Sequence, residues 1–105
     1  MKVSISLVVA TLAARSVFAD LHYTGICVDN PAKGVTVYNK QATEKACAAY
    51  KNRNTGDAQW DKCPDCTLKS DHDILFYCQT AGQHIGGDEL EYYCKQNGAS
   101  SSVAW

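Results

Sequence analysis

Six cysteines are the sequence feature that most restricts how this 105-residue chain can fold. All of them lie downstream of residue 20, at Cys27, Cys47, Cys63, Cys66, Cys78 and Cys94. An even number of cysteines in a short exported chain predicts a disulfide framework. Disulfides are expected because so small a core barely offsets the entropy lost when the chain is ordered. Three bridges of about 2–4 kcal/mol each would decide whether the domain folds, although the sequence leaves their connectivity open.

The start of the chain indicates that these cysteines are exported. Lys2 precedes an uncharged, largely apolar run at residues 3–14, and small residues stand before a candidate cut after Ala19. This order is typical of a secretory signal peptide, and the run is shorter than the roughly 20 apolar residues that span a bilayer. A buried core helix is the alternative, but Arg15 argues against it. We predict a signal peptide at 1–19, cleavage between Ala19 and Asp20, and one secreted cysteine-rich domain at 20–105.

The charge balance disfavours two classes of partner. The predicted leader carries two of the ten lysines and arginines and none of the eleven acidic residues, so the mature part is mildly acidic. An acidic surface is a poor match for phosphate backbones and for anionic lipid, and no cluster of basic residues compensates. We therefore expect no nucleic-acid partner, no membrane span and a monomer.

Residue patterns predict a strand and a helix that occur twice. The predicted strands cover residues 21–28, 59–68, 74–80 and 101–105. The predicted helices run from 39 or 43 to about 52 and from 89 to about 97. The segment at 34–38 is a short strand or an approach loop. Asn39 or Thr43 is expected to cap the first helix and Asp88 the second. The order is that of a split βαβ sandwich, an α+β fold written βαββαβ, with both helices on one face of an antiparallel sheet.

The cysteines follow this repeat. Cys27 in a strand precedes Cys47 in a helix, and Cys78 in a strand precedes Cys94 in a helix. The two halves are therefore expected to be related by pseudo-symmetry.

The segment Cys63-Pro64-Asp65-Cys66 is the strongest candidate for chemistry. Two thiols at this spacing can form a reactive disulfide or half of a zinc site. Redox enzymes place a helix directly after the first cysteine, which the following residues do not predict, and no second matching pair completes a zinc site. We predict that both cysteines are structural and that each is bonded to a different partner.

Three histidines, His22, His72 and His84, are available for acid–base catalysis. A secreted ribonuclease would need a base, an acid and a cation around one phosphate, and the spacing does not bring such residues together. The loop at 71–73 could bind a divalent cation, although solvated charges are the commoner role of such a loop. We predict no enzymatic activity, no cofactor and no metal.

Two aromatic residues are candidates for contact with a protein partner. Tyr92 is expected to point outward from the second helix, and Trp105 follows the last strand. Aromatic residues are enriched among those that dominate binding energy at interfaces.

A signal peptide, a short mature part, six cysteines and no catalytic motif together resemble the small cysteine-rich secreted proteins of filamentous fungi. Many of these are candidate effectors of plant pathogens. The order of strands and helices is similar to that of the killer toxin subunits of smut fungi. The resemblance covers the whole mature chain in layout, without a motif that assigns a functional residue.

The resemblance implies a non-enzymatic role in binding another protein. We expect an effector-like protein that binds a host target to modulate immunity or virulence. A killer-toxin-like antimicrobial protein, which would act on a competing microbe, is the alternative. A small secreted hydrolase such as a ribonuclease is a more distant one.

Overall fold

The structure is a computed structural model that describes residues 21–105. The predicted signal peptide at 1–19 and the cut between Ala19 and Asp20 lie outside the described residues. In chain order, the elements are β1 (Leu21–His22), β2 (Thr24–Ala32), β3 (Val35–Tyr38), α1 (Lys40–Lys51), β4 (Thr67–Asp71), β5 (Leu75–Gln79), β6 (Ile85–Gly86), α2 (Gly87–Gln96) and β7 (Ser101–Ala104). A short 3₁₀ turn covers Gln59–Asp61.

The central strand of the main sheet is β2. It pairs with β5 on one edge and with β7 on the other, and β4 extends the sheet beyond β5. Every pairing is antiparallel, so the order β7-β2-β5-β4 matches the split βαβ plan. Strand β3 pairs with the far end of β2, and β1 and β6 form a separate two-stranded sheet. The predicted α+β fold, two helices packed on an antiparallel sheet, is confirmed.

Two predicted strand boundaries were wrong. The strand expected at 59–68 is replaced by the 3₁₀ turn and a tight turn, and β4 begins only at Thr67. The strand predicted at 21–28 is divided into β1 and β2, which lie in different sheets, and β2 does not end at Val28 but continues to Ala32, with a register shift between Asp29 and Ala32. Pro31 is tolerated within β2 because it lies between Asp29 and Ala32, where the ladder pairing with β3 is irregular. The uncertain segment at 34–38 forms β3.

Helix α1 is fixed at its start by a side-chain cap and on its inner face by a contact with β2. The Asn39 side chain accepts a hydrogen bond from the backbone N–H of Ala42 at 2.9 Å, as an N-cap should. One turn later, the buried Thr43 hydroxyl accepts a hydrogen bond from the backbone N–H of Cys27 at 2.8 Å. Small residues on the same face, Ala42 and Ala46, are fully buried. The helix can therefore lie close to the sheet.

Helix α2 approaches β2 through a glycine. A side chain at Gly25 would clash with Leu90, which is 1% exposed at the centre of the α2 interface. The helix begins at Gly87 with Gly86 as its N-cap, so Asp88 lies in the first turn and the prediction that it caps the helix was wrong. Its carboxylate still complements the helix dipole there.

Two disulfides join the two halves crosswise. Cys27 in β2 is bonded to Cys94 in α2, and Cys47 in α1 is bonded to Cys78 in β5. Each bridge therefore connects a strand of one half to the helix of the other. All four cysteines are at most 3% exposed. The repeat of strand and helix cysteines in the sequence corresponds to this crossed pairing.

The third disulfide joins Cys63 to Cys66. The prediction that these two residues bond to different partners was wrong. The backbone N–H of Cys66 donates to the carbonyl of Cys63 at 3.0 Å, and this tight turn brings the two Cα atoms to 5.3 Å. That separation lies within the range that a disulfide can close. Residues 21–105 contain no free cysteine.

A single tyrosine ties the helices to the smaller sheet. Tyr50 of α1 is fully buried, and its hydroxyl accepts a hydrogen bond from the Gly86 N–H at 3.0 Å. The same hydroxyl is 3.0 Å from the carbonyl of Trp60 and 3.1 Å from that of His84, and it can donate to one of them. Burial raises the pKa of Tyr50 to about 12, so the hydroxyl stays neutral.

Candidate partner-binding surfaces

The histidines are divided between two places. His72 lies in the turn between β4 and β5 and contacts Asp71. This turn contains the loop at 71–73, the candidate site for a divalent cation. His84 precedes β6, and its ring nitrogen Nδ1 is 2.9 Å from the carbonyl of Gln59. His22 in β1 pairs with Ile85, so the structure brings His22 and His84 to the same small sheet. The absence of enzymatic activity stays a prediction.

A first surface cavity lies beside the N-terminal half of α2 and measures about 400 Å³. Its lining residues are Arg53, Thr55, Asp88, Glu89, Tyr92 and Tyr93. We call this set the α2 face. It contains Tyr92, which was predicted to contact a partner and is 53% exposed.

The ring of Tyr92 is held in place although half of it is exposed. Its hydroxyl accepts a hydrogen bond from the Gln96 amide one turn later at 2.9 Å. Its ring meets that of Tyr93 edge-on at 5.1 Å, and Tyr93 lies 5.5 Å from the buried Tyr50. The exposed aromatic ring is therefore connected to the core by ring contacts, and a partner would not have to order it.

The charge of the α2 face is negative. Arg53 is only 15% exposed, lies 3.8 Å from Asp61 and donates to the Tyr93 hydroxyl at 3.4 Å. Its cation is thus largely compensated within the fold, although its Nε has no hydrogen-bond partner among residues 21–105. Asp88 and Glu89 form no salt bridge within the described chain. These two carboxylates therefore set the sign that a partner meets.

A second cavity of about 400 Å³ lies on the main sheet. Its lining residues are Thr24, Ser70, Asp71, Leu75, Tyr77, Gln79 and Trp105. We call it the sheet cavity. The rings of Tyr77 and Trp105 are 6.5 Å apart and inclined by 48°, so they form an open angle. Trp105, the second predicted partner contact, is 53% exposed.

The backbone of Trp105 is fixed to the end of the main sheet. Its N–H donates to the carbonyl of Thr24 at 2.9 Å, and its carbonyl accepts from the N–H groups of Thr24 and Tyr23 at 3.0 and 3.2 Å. The strand predicted at 101–105 is present as β7 at Ser101–Ala104. Trp105 therefore continues the pairing of β7 with β2.

A third, smaller cleft of about 250 Å³ opens over two of the disulfides. Glu44 and Lys51 of α1 line it together with Cys47 and Cys66. The sulfur atoms of Cys47, Cys66 and Cys78 lie within 4.8 Å of one another. All three belong to disulfides and so lack the thiolate that a metal ion would require. That the protein holds no metal stays a prediction.

Comparison with known proteins identifies the family of this folded part. A protein-family model for biotrophy-associated secreted protein 4 (BAS4) matches residues 20–102. The chain belongs to the BAS4 family. Its members are biotrophy-associated secreted proteins of fungal plant pathogens, so the predicted secretion and the resemblance to secreted fungal proteins are confirmed at the level of the family.

Searches of curated proteins and of solved structures each found no match. The similarity to killer toxin subunits therefore stays a prediction. No helix within residues 21–105 is long and apolar enough to cross a membrane.

Sequence reasoning found one aromatic residue on each surface and missed their neighbours. Tyr77 had a partial signal, because alternation along the strand places it on the face opposite Cys78. Which of the two faces the helices leave open depends on the bridge from Cys78 to α1, which the sequence did not give. Arg53 had none, since only the fold brings the end of α1 beside α2. The sequence shows that Asp88 and Glu89 are acidic. It does not show that they dominate the charge of the α2 face, because that depends on the burial of Arg53 and on its contact with Asp61.

Proposed function

We propose that this member of the BAS4 family acts outside the fungal cell, without catalysis, by binding a host protein through the α2 face. Such binding would modulate host immunity or virulence during growth in living tissue. The observation that carries the proposal is Tyr92, an aromatic ring that is 53% exposed and yet fixed by Gln96 and Tyr93.

A fixed, exposed aromatic ring favours protein binding for an energetic reason. Association costs free energy when side chains must be immobilised, and a ring that is already held avoids part of that cost. Tyrosine also combines a large apolar area with a polar end, which is why it is frequent among residues that dominate interface energies. Tyr92 has both properties on a rigid helix.

The charges beside Tyr92 favour a basic segment as the partner's contact. Asp88 and Glu89 form no salt bridge within residues 21–105, whereas the cation of Arg53 is shielded by Asp61. A lysine or arginine of the partner could lie over the Tyr92 ring and also meet these carboxylates. Binding of this kind weakens as salt is added, because exposed charges are screened.

The test begins with oxidised residues 20–105 immobilised and exposed to extracellular fluid from host tissue. Each captured protein is then titrated against the wild type and against Tyr92→Ala. We expect Tyr92→Ala to weaken the specific interaction at least about tenfold. Asp88→Asn with Glu89→Gln should weaken it and flatten its salt dependence. Tyr23→Ala is the matched control, since Tyr23 is 51% exposed and does not line the α2 face.

Three outcomes would contradict the proposal. The first is capture that is insensitive to the Tyr92 and charge variants. The second is growth inhibition of fungi or bacteria by the oxidised protein without any host interaction, which would support the killer-toxin-like alternative. The third is hydrolysis of RNA by the purified protein that is lost when His22 and His84 are replaced by alanine.

A further inference from the structure

We propose that the sheet cavity binds a neutral oligosaccharide built of pyranose rings. The inference does not rest on the proposed function, because the cavity and the α2 face share no lining residue. It rests on the orientation of the two rings, on the polar groups beside them and on the local charge.

The cavity lies on the face of the sheet that the helices leave open. In β5 the side chain of Cys78 is bonded to α1, so the neighbouring side chains of Tyr77 and Gln79 point to the opposite face. Thr24 is paired with Gln79 across the ladder and lies on that same face. Side chains from β2 and β5 therefore line one side of the sheet and meet Trp105 at its edge.

The two aromatic rings suit the apolar faces of a sugar. A pyranose carries C–H groups on the faces of its ring and hydroxyl groups around its rim. The face packs against an aromatic ring, while the rim needs hydrogen-bonding partners. Tyr77 and Trp105, 6.5 Å apart and inclined by 48°, present two such surfaces to one elongated ligand.

Four polar groups beside these rings have no partner within the described chain. The Thr24 hydroxyl, the Tyr77 hydroxyl, the Gln79 amide and the Trp105 indole N–H form no hydrogen bond with another residue of 21–105. By contrast, the hydroxyls of Tyr50 and Tyr92 are both engaged inside the fold. This neutral set of donors and acceptors, in which the indole N–H only donates, matches the hydroxyls of a sugar better than it matches an ion.

The charges near the cavity favour a neutral ligand. Asp71 contacts the imidazole of His72, and Lys69 stands opposite Tyr77 in the ladder between β4 and β5. The charged side chains at this edge thus have opposite signs and select neither an anion nor a cation. A glucose or N-acetylglucosamine oligomer fits these conditions, whether it comes from the fungal or from the plant cell wall.

The experiment uses oxidised residues 20–105 and three neutral probes, which are oligosaccharides derived from chitin, from laminarin and from cellulose. Oligogalacturonate serves as an anionic comparison. Binding is measured by calorimetry and by tryptophan fluorescence in Trp60→Phe, which leaves Trp105 as the reporter of the cavity. We expect saturable binding of at least one neutral series and none of the anionic one. Preference for the chitin series would indicate a fungal source and preference for the cellulose series a plant source, while the laminarin series tests for β-1,3-glucan, which both walls contain.

Two variants decide whether the binding occurs in the sheet cavity. Trp105→Ala should weaken binding at least about tenfold, while Trp105→Phe retains a stacking ring and stays within about threefold. Gln79→Leu keeps the side-chain volume but removes the amide, and should weaken binding roughly tenfold with unchanged thermal unfolding. Tyr92→Ala should bind the sugar like the wild type. No binding by any neutral series, or binding as tight as that of the wild type by Trp105→Ala and by Gln79→Leu, would overturn the proposal.

Discussion

The α2 face and the sheet cavity have nearly the same size and the same degree of aromatic exposure, but they differ in chemistry. Each measures about 400 Å³, and Tyr92 and Trp105 are both 53% exposed. In the α2 face the aromatic hydroxyls are bonded internally and the free groups are carboxylates. In the sheet cavity the unengaged groups are the neutral ones of Thr24, Tyr77, Gln79 and Trp105, whereas the Asp71 carboxylate contacts His72. The groups around an exposed ring, rather than its exposure, indicate what it can bind.

The two surfaces also differ in how they are supported. The α2 face depends on the position of α2, which is bonded to β2 through Cys27–Cys94 and rests on Tyr50 through Tyr93. The sheet cavity depends on the ladders of β2, β5 and β7, which are made by the backbone. Changes beneath α2 should therefore disturb the first surface more than the second.

The largest effect is expected from removal of the disulfide between Cys27 and Cys94. Their 67-residue separation gives a loss of about 4 kcal/mol in the free energy of unfolding when both become alanine. The local bridge Cys63–Cys66 has a separation of 3, for which the same relation gives about 2 kcal/mol. Urea denaturation of the two double variants measures the difference. A larger loss for Cys63→Ala with Cys66→Ala would contradict the order.

The next effect concerns the tyrosine beneath the α2 face. Tyr50→Phe leaves the N–H of Gly86 without its acceptor, and an unsatisfied buried group costs about 1–3 kcal/mol. We expect a lower free energy of unfolding and weaker host-protein binding, with sugar binding at the sheet cavity retained in the folded protein. Tyr23→Phe is the control, because that exposed hydroxyl should contribute little. Equal stability of the two variants would show that the Gly86 N–H finds another acceptor.

A third prediction separates the ligands of the two surfaces. Tyr92→Ala should lose the host protein and keep the sugar, while Trp105→Ala should lose the sugar and keep the host protein, each loss being at least about tenfold. Titration of both ligands against both variants measures this. Loss of both ligands in either variant would mean that the two surfaces are one site.

The sequence predicted the repeat of strand and helix because the hydrophobic pattern and the capping residues are local signals. It could not predict that the bridges cross between the halves, since disulfide partners are set by the packing of distant elements. It also failed at Cys63 and Cys66, where a backbone turn closes a bridge within one loop. For the candidate surfaces, it found Tyr92 and Trp105 but not Tyr77 or Arg53, whose roles depend on neighbours that are remote in the chain.

The smallest effect is a dependence of stability on pH. It should arise where Asp65, in the turn before β4, accepts hydrogen bonds from the loop between β5 and β6, away from either surface. Burial acts to raise the pKa of Asp65, but hydrogen bonds from the Thr80 hydroxyl at 2.6 Å and the Gly82 N–H at 2.8 Å outweigh it and lower that pKa. A carboxylate with a lowered pKa contributes its full amount to the free energy of unfolding at pH values above its unfolded pKa of 3.8. This stabilisation is lost as the pH falls through the pKa of the folded state.

The acid dependence can be assigned to Asp65 by substitution. The thermal unfolding temperature of the wild type should fall as the pH is lowered through this range, and Asp65→Asn should show a flatter profile. Asp57→Asn is the control, because the Asp57 side chain is fully exposed and its ion pair with Lys62, at 3.9 Å, should contribute little to stability. Because binding of the sugar involves no group in this loop, its affinity should not follow the same profile. A profile unchanged by Asp65→Asn would place the acid-sensitive contact elsewhere, with Glu91 the next carboxylate to test, since Lys95 and Ser101 lower its pKa.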